Sequence, residues 1–216
     1  MCFSPEVDLV AGVVVTAVGV DAIRRARAPE ELPLASLPLL LGIHQLVEVF
    51  VWRGLEGSGP ARLGDAAVWT YLAIAFLLPV WVPLAVRGVE PSRKRRTAMT
   101  RLTAVGIAAT LVLFFSLLRG PVGAAVDGLH IAYVVDIPGG GVAGVLYVIA
   151  TCGALLASSE RVIRWFGVSN LVAVTVLAWL TVGGLTSLWC VWAAVTSVAI
   201  DLYLRNEEGR PIVLVA

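Results

Sequence analysis

Long apolar runs, separated by short clusters of charge, set the rhythm of this chain. Val7 to Ile23 is the first, interrupted by Asp8 and Asp21 near its two ends and stopped by Arg24-Arg25-Ala26-Arg27. Leu32 to Trp52 follows and carries His44 and Glu48 inside it. Ala66 to Val86 is uncharged, with Pro79 and Pro83 near its far end predicting a kinked helix. Leu102 to Leu118 and Ile137 to Ser159 are the fourth and fifth runs. Trp165 to Ile200 then stays uncharged for 36 residues. As one helix that run would measure about 54 Å, against roughly 30 Å of bilayer hydrocarbon, so it must reverse. Val182-Gly183-Gly184-Leu185-Thr186-Ser187 is the predicted hairpin, leaving spans at 165–180 and 187–204.

Seven spans place the two ends of the chain on opposite sides of the membrane, and the basic residues test that count. Thirteen of the 16 lysines and arginines fall on one side: Arg24, Arg25, Arg27, Arg87, Arg93, Lys94, Arg95, Arg96, Arg101, Arg161, Arg164, Arg205 and Arg210. Only Arg53, Arg62 and Arg119 fall on the other. The expected arrangement is an all-α, seven-helix transmembrane bundle forming one domain over residues 1–216, with its N-terminus outside and its C-terminus cytoplasmic. The first span starts too near Met1, with no basic stretch before it, to read as a cleaved leader. The connection from Arg119 to Asp136, containing Asp127, His130 and Tyr133, reads as an extracytoplasmic, re-entrant or interfacial piece.

Composition agrees with that pattern. Of 216 residues, 59% are hydrophobic and 14% charged, the mean hydropathy is +0.91, and the expected location is a bacterial cytoplasmic membrane among its lipids. A net charge of +1, with the basic residues shared among short loops, argues against a nucleic-acid partner. Three cysteines define no disulfide framework, although Cys2 and Cys190 both fall near the outer face. There is no HExxH, GxSxG, P-loop or DDxxD motif, and no lysine in the last span for a retinal Schiff base.

A carboxyl group inside a membrane helix is costly and tends to face a bundle interior or a watery cavity, which singles out Glu48. Desolvation would keep it protonated and able to give up a proton, while a structural hydrogen bond between helices is the plainer reading. His44 lies one turn earlier on the same face, placed either to orient that acid or to pack against a backbone carbonyl. Asp8 follows Glu6 at the outer end of the first span, as a solvated helix-start carboxylate or a second acid of the same pocket. Asp201 precedes Arg205 by four residues, the spacing of an interfacial ion pair that Asp21 and Arg25 repeat. Trp52, Trp69, Tyr71, Phe115, Tyr133, Trp189 and Trp192 supply aromatic faces. Each serves packing or the interfacial belt; beside a buried acid, such faces also stabilise a carbocation. Apart from His44 with Glu48, no candidate ligands have a diagnostic metal spacing, so no metal site or cofactor is expected.

Met1-Cys2-Phe3-Ser4, Gln45-Leu46-Val47-Glu48 with Val51-Trp52, Pro79-Val80-Trp81-Val82-Pro83, Ser158-Ser159 and Ser187-Leu188-Trp189-Cys190 with Ala193-Ala194 together resemble a bacterial family of seven-helix membrane proteins. That resemblance covers most of the chain and brings no assigned reaction. More loosely, Glu48 and Leu188-Trp189-Cys190 resemble the integral-membrane terpene cyclases of meroterpenoid and indole-terpenoid pathways. Those are small seven-helix proteins with an acid in the second helix and another in the last. The second acid of that family would fall near Val198, one turn before Asp201.

The resemblance implies proton-initiated cyclisation of a prenylated, lipophilic substrate without a cofactor, with Glu48 as the acid, His44 or Asp8 as its partner, Asp201 as the second acid and the aromatic residues as the cation-stabilising wall. The alternatives are a non-enzymatic bundle that binds or senses a small molecule, and a metal or proton carrier. The oligomeric state stays open. Reporter fusions should find the N-terminus outside and the C-terminus inside; both on one side would show that a span has been miscounted.

Overall fold

The structure, a computed structural model, describes residues 4–128, 130–180 and 196–205. Helices α1 (Pro5–Arg25), α2 (Leu32–Leu55), α3 (Ala61–Val89), α4 (Arg93–Arg119), α5 (Gly140–Ala157) and α6 (Arg161–Leu180) follow in order, with a 3-10 turn at Pro29–Glu31 before α2. A further helical segment, α7, covers 196–205. The helical class therefore agrees with the expectation. Four stretches, Pro29–Leu55, Ala61–Val89, Arg93–Arg119 and Gly140–Ala157, are long and apolar enough to cross a bilayer, as a membrane protein requires. The predicted reversal at 182–187 lies outside the described residues.

One element departs from the all-helical expectation. The Arg119 to Asp136 connection contains an antiparallel hairpin of β1 (Val122–Asp127) and β2 (His130–Val135), in register from Val122 opposite Val135 to Asp127 opposite His130. Its sequence is apolar on both faces, so it lacks the strict alternation that marks a half-exposed strand. Ile131 of β2 is fully buried in a cluster with Val51, Trp52, Leu72, Phe76, Leu113 and Leu117, so the hairpin closes one end of the bundle. The helices also begin and end beyond the apolar runs. The basic stretch Arg93 to Arg101 forms the first turns of α4 rather than a loop.

Consecutive helices pack side by side, and small residues permit the close approach. A Cβ on Gly19 of α1 would strike the backbone of Leu39 on α2. A Cβ on Gly106 of α4 would strike the carbonyl oxygen of Pro79 on α3. Both contacts leave room for glycine alone.

The prolines have a second consequence. α3 runs unbroken through Pro79 and Pro83, but each proline lacks the N–H that would bond the carbonyl four residues earlier. Pro79 leaves the Ala75 carbonyl to another donor, and the Tyr147 hydroxyl of α5 donates to it at 3.1 Å. On the next residue, the Thr110 hydroxyl of α4 donates to the Phe76 carbonyl at 2.8 Å. Inside a membrane a freed backbone group has to be satisfied by a neighbouring helix, so Pro79 calls for the hydroxyl that α5 presents to α3. Tyr147→Phe keeps the ring and deletes that donor. It should destabilise the detergent-solubilised protein by about 1 kcal/mol, read as a lower thermal midpoint. An unchanged midpoint would mean that the Ala75 carbonyl finds another partner.

Candidate functional site

The antiparallel course of α1, α2 and α3 brings the start of α1, the end of α2 and the early turns of α3 to the hairpin end of the bundle. His44, Glu48 and Trp52 succeed one another at four-residue spacing, on one face of α2. All three are buried, as are Asp8, Gln45 and Tyr71. The Trp52 indole N–H donates to Asp8 Oδ2 at 3.0 Å, tying α2 to α1. The Tyr133 hydroxyl, reaching in from β2, donates to Glu48 Oε1 at 3.2 Å.

An aromatic column runs beside the two acids. The His44 ring stacks on Tyr71 with centroids 3.8 Å apart, and Tyr71 stacks on Tyr133 at 4.4 Å with only 7° between the ring planes. His44 Nε2 lies 3.0 Å from the Tyr71 carbonyl oxygen, which therefore accepts its proton. That bond matches the packed alternative for His44, and through Tyr71 and Tyr133 it couples the imidazole to the group that bonds Glu48. Glu48 and Asp8 are 0% and 1% exposed, so neither is the solvated carboxylate that a helix start ordinarily offers. Thus Asp8, His44, Glu48, Trp52, Tyr71 and Tyr133, drawn from four elements, meet in one place.

The remaining candidates do not join them. Trp69 is 40% exposed and Phe115 53%, so both lie on the periphery, and the Arg119 guanidinium sits 5.2 Å from the Phe115 ring centroid. Trp189, Trp192, Cys2 and Cys190 lie outside the described residues. Asp201 belongs to the opposite end. There Arg205 bonds Asp201 at 2.6 Å and Asp21 at 2.8 Å, while Arg25 bonds Asp21 at 2.8 Å and lies 4.0 Å from Asp201. Asp8 and Asp21 are thirteen residues apart on α1, about 20 Å of helix rise, so Asp201 is not placed to share chemistry with Glu48. The i, i+4 reading of Asp201 with Arg205 accounts for what it touches. Among the described residues no three His, Cys, Asp or Glu side chains converge as metal ligands.

Sequence reasoning missed Glu90. It directly follows α3, ahead of a basic stretch, which is where a solvated loop carboxylate is expected, yet it is 0% exposed. Its carboxylate accepts from the Ser158 hydroxyl at 3.1 Å, the Ser159 N–H at 2.7 Å, the Ser159 hydroxyl and the Ser92 N–H at 3.1 Å. Arg96 donates to the Glu90 carbonyl at 2.6 Å, and Arg95 donates to the carbonyls of Ala157 and Ser158. The turn between α3 and α4 is thereby fastened to the turn between α5 and α6. The Ser158-Ser159 pair was the visible signal, without the acid it serves.

A family model matches residues 1–212. The chain belongs to DUF6629, a family of unknown function. No curated protein and no solved structure matches it. For this family member the geometry of its own residues therefore carries the functional argument, and both Glu48 and the Glu90 fastening fall within the matched region.

Burial by itself would raise the Glu90 carboxyl, but the four donors from Ser159, Ser92 and Ser158 outweigh it and hold the group below its ordinary value. A carboxylate depressed in the folded state contributes stability that is complete above its unfolded value and is lost as pH falls through the folded one. The fastening is therefore intact at neutral pH and is lost only as pH falls below the ordinary carboxylate range. Glu90→Gln should cost about 2 kcal/mol at pH 7 and show a shallower acid loss than the native chain. Parallel acid profiles for the two proteins would remove Glu90 as the titrating group.

Proposed function

We propose that this chain is a polytopic membrane protein of seven spans, with its hairpin end outside, and that Glu48 is the proton donor to a lipophilic substrate bound at that end. The reaction we assign is acid-initiated cyclisation of a prenylated small molecule, such as a farnesylated indole or a meroterpenoid precursor. The observation that carries this reading is the pairing of a fully buried carboxyl, Glu48, with the Tyr133 hydroxyl and the His44–Tyr71–Tyr133 stack.

The chemistry follows from that setting. A carboxylic acid away from water transfers its proton to the terminal alkene or epoxide of the substrate, leaving a carboxylate that the Tyr133 hydroxyl is positioned to hold. The resulting cation is attacked by the next double bond, and aromatic faces stabilise positive charge without adding a nucleophile. Loss of a proton to a carboxylate ends the sequence, so product and substrate have the same mass. Asp8, held by Trp52, fixes α1 against α2 beside the acid.

A second reading has its own support. Each of these bonds is also what a polar contact between packed helices needs, so the cluster would equally serve a non-enzymatic bundle that binds or senses a small molecule. The two readings part on one variant. Membranes containing the protein, incubated with farnesylated indole compounds, should yield an isomer of shifted retention. Glu48→Gln should lower its formation by 10²-fold or more, in the range of general acid catalysis. No isomer from folded protein, together with a lowered thermal midpoint in Glu48→Gln, would leave Glu48 as a structural contact.

A further inference from the structure

A strongly one-sided run of charge lies where α3 passes into α4. Six lysines and arginines fall between Arg87 and Arg101, and Glu90 is the one acid among them. Glu90 is committed to Ser92, Ser158 and Ser159, while Arg95 and Arg96 are turned onto backbone carbonyls. The other four cations are exposed.

Their placement is specific. Arg93, Lys94, Thr97, Thr100 and Arg101 are all exposed while Met99 and Thr103 are buried, so these five share the outward face of α4. Thr97 stands at the centre, three or four residues from each of the others. Arg87 joins them from α3, because its Nε donates to the Thr100 hydroxyl at 3.1 Å. That bond leaves the terminal N–H groups of its guanidinium for another acceptor. Among the described residues no acid pairs with Arg87, Lys94 or Arg101.

Farther along α4 the same outward face loses its charge. Ala104 and Ala108 continue it, small and exposed, and Leu111 (64% exposed) and Phe115 (53%) follow. A cationic patch around two hydroxyls therefore runs directly into an apolar strip on a helix long enough to cross a bilayer. A soluble anion would use only the first part of this face; an anionic lipid uses both. We propose that the outward face of α4, completed by Arg87, binds one anionic phospholipid. Its phosphate lies over Thr97 and Thr100 among Arg87, Arg93, Lys94 and Arg101, and an acyl chain lies over Ala104 and Ala108. The headgroup carries net negative charge, since a zwitterionic one would set its own cation against the patch. The site lies at the end of the bundle away from the hairpin and does not depend on the reaction assigned to Glu48.

Basic residues on one side are general in membrane proteins, so the decisive comparison is between cations of this face and cations elsewhere at the same end. The full chain, purified in a neutral detergent, is titrated with phosphatidylglycerol and with phosphatidylcholine of the same acyl chains, and bound lipids are counted by native mass spectrometry. One phosphatidylglycerol per chain is expected, held at least tenfold more tightly than phosphatidylcholine. Arg87→Gln/Lys94→Gln/Arg101→Gln should bring phosphatidylglycerol down to the level of phosphatidylcholine. Arg24→Gln/Arg161→Gln/Arg164→Gln removes the same charge from the same end and should change binding less than twofold. Thr97→Glu sets an acid at the exposed centre of the patch and should weaken phosphatidylglycerol at least tenfold without weakening phosphatidylcholine. It decides the matter if the first triple variant does not fold, as judged by circular dichroism. Equal retention of the two lipids, undiminished phosphatidylglycerol binding in the folded first variant or in Thr97→Glu, or an equal loss in both triple variants would overturn the proposal.

Discussion

A carboxyl group withdrawn from water has to find its hydrogen-bond donors inside the protein, and three such groups organise this molecule. Asp8 takes an indole N–H from α2, Glu48 takes a hydroxyl from the hairpin, and Glu90 takes hydroxyls and amides from two turns. Apart from the Ser92 N–H, each partner comes from a distant part of the chain. The acids therefore act as fasteners, specifying which elements meet and at which height along the bundle, where apolar surfaces alone would let the helices slide.

The same accounting applies to the backbone. Two prolines in α3 remove donors from the helix, and the effect of Pro79 is visible on α5 rather than on α3 itself. The Tyr147 hydroxyl and the missing Cβ of Gly106 both answer to the carbonyls left around Pro79. Polar satisfaction and small-residue packing, which are usually treated separately, converge here on one stretch of helix.

The two ends of the bundle consequently differ in kind. At the hairpin end, two acids and the rings of His44, Trp52 and Tyr71 are buried, with Tyr133 partly buried beside them. At the other end lies a largely apolar cavity, and a separate four-residue ion network joins α1 to α7. Asp201 looks like the second acid of the first site in the linear sequence, but its place in that network assigns it to the far end. The roughly 20 Å of α1 between Asp8 and Asp21 is the physical separation of the two.

Hydropathy alone determined that the chain is helical, where its apolar runs lie and that Glu48 is exceptional, because a charge interrupting such a run is costly wherever the helix goes. Helical spacing also placed His44, Glu48 and Trp52 on one face, since that relation is local. What the tertiary structure decided is everything requiring two distant segments. The apolar strands of the hairpin were indistinguishable from a membrane-associated loop until Ile131 was seen in the core and Tyr133 against Glu48. Glu90 read as an ordinary loop acid because three of its four donors lie 68 and 69 residues away. Burial belongs to the packed molecule; the one-dimensional pattern records only which residues are expensive to bury.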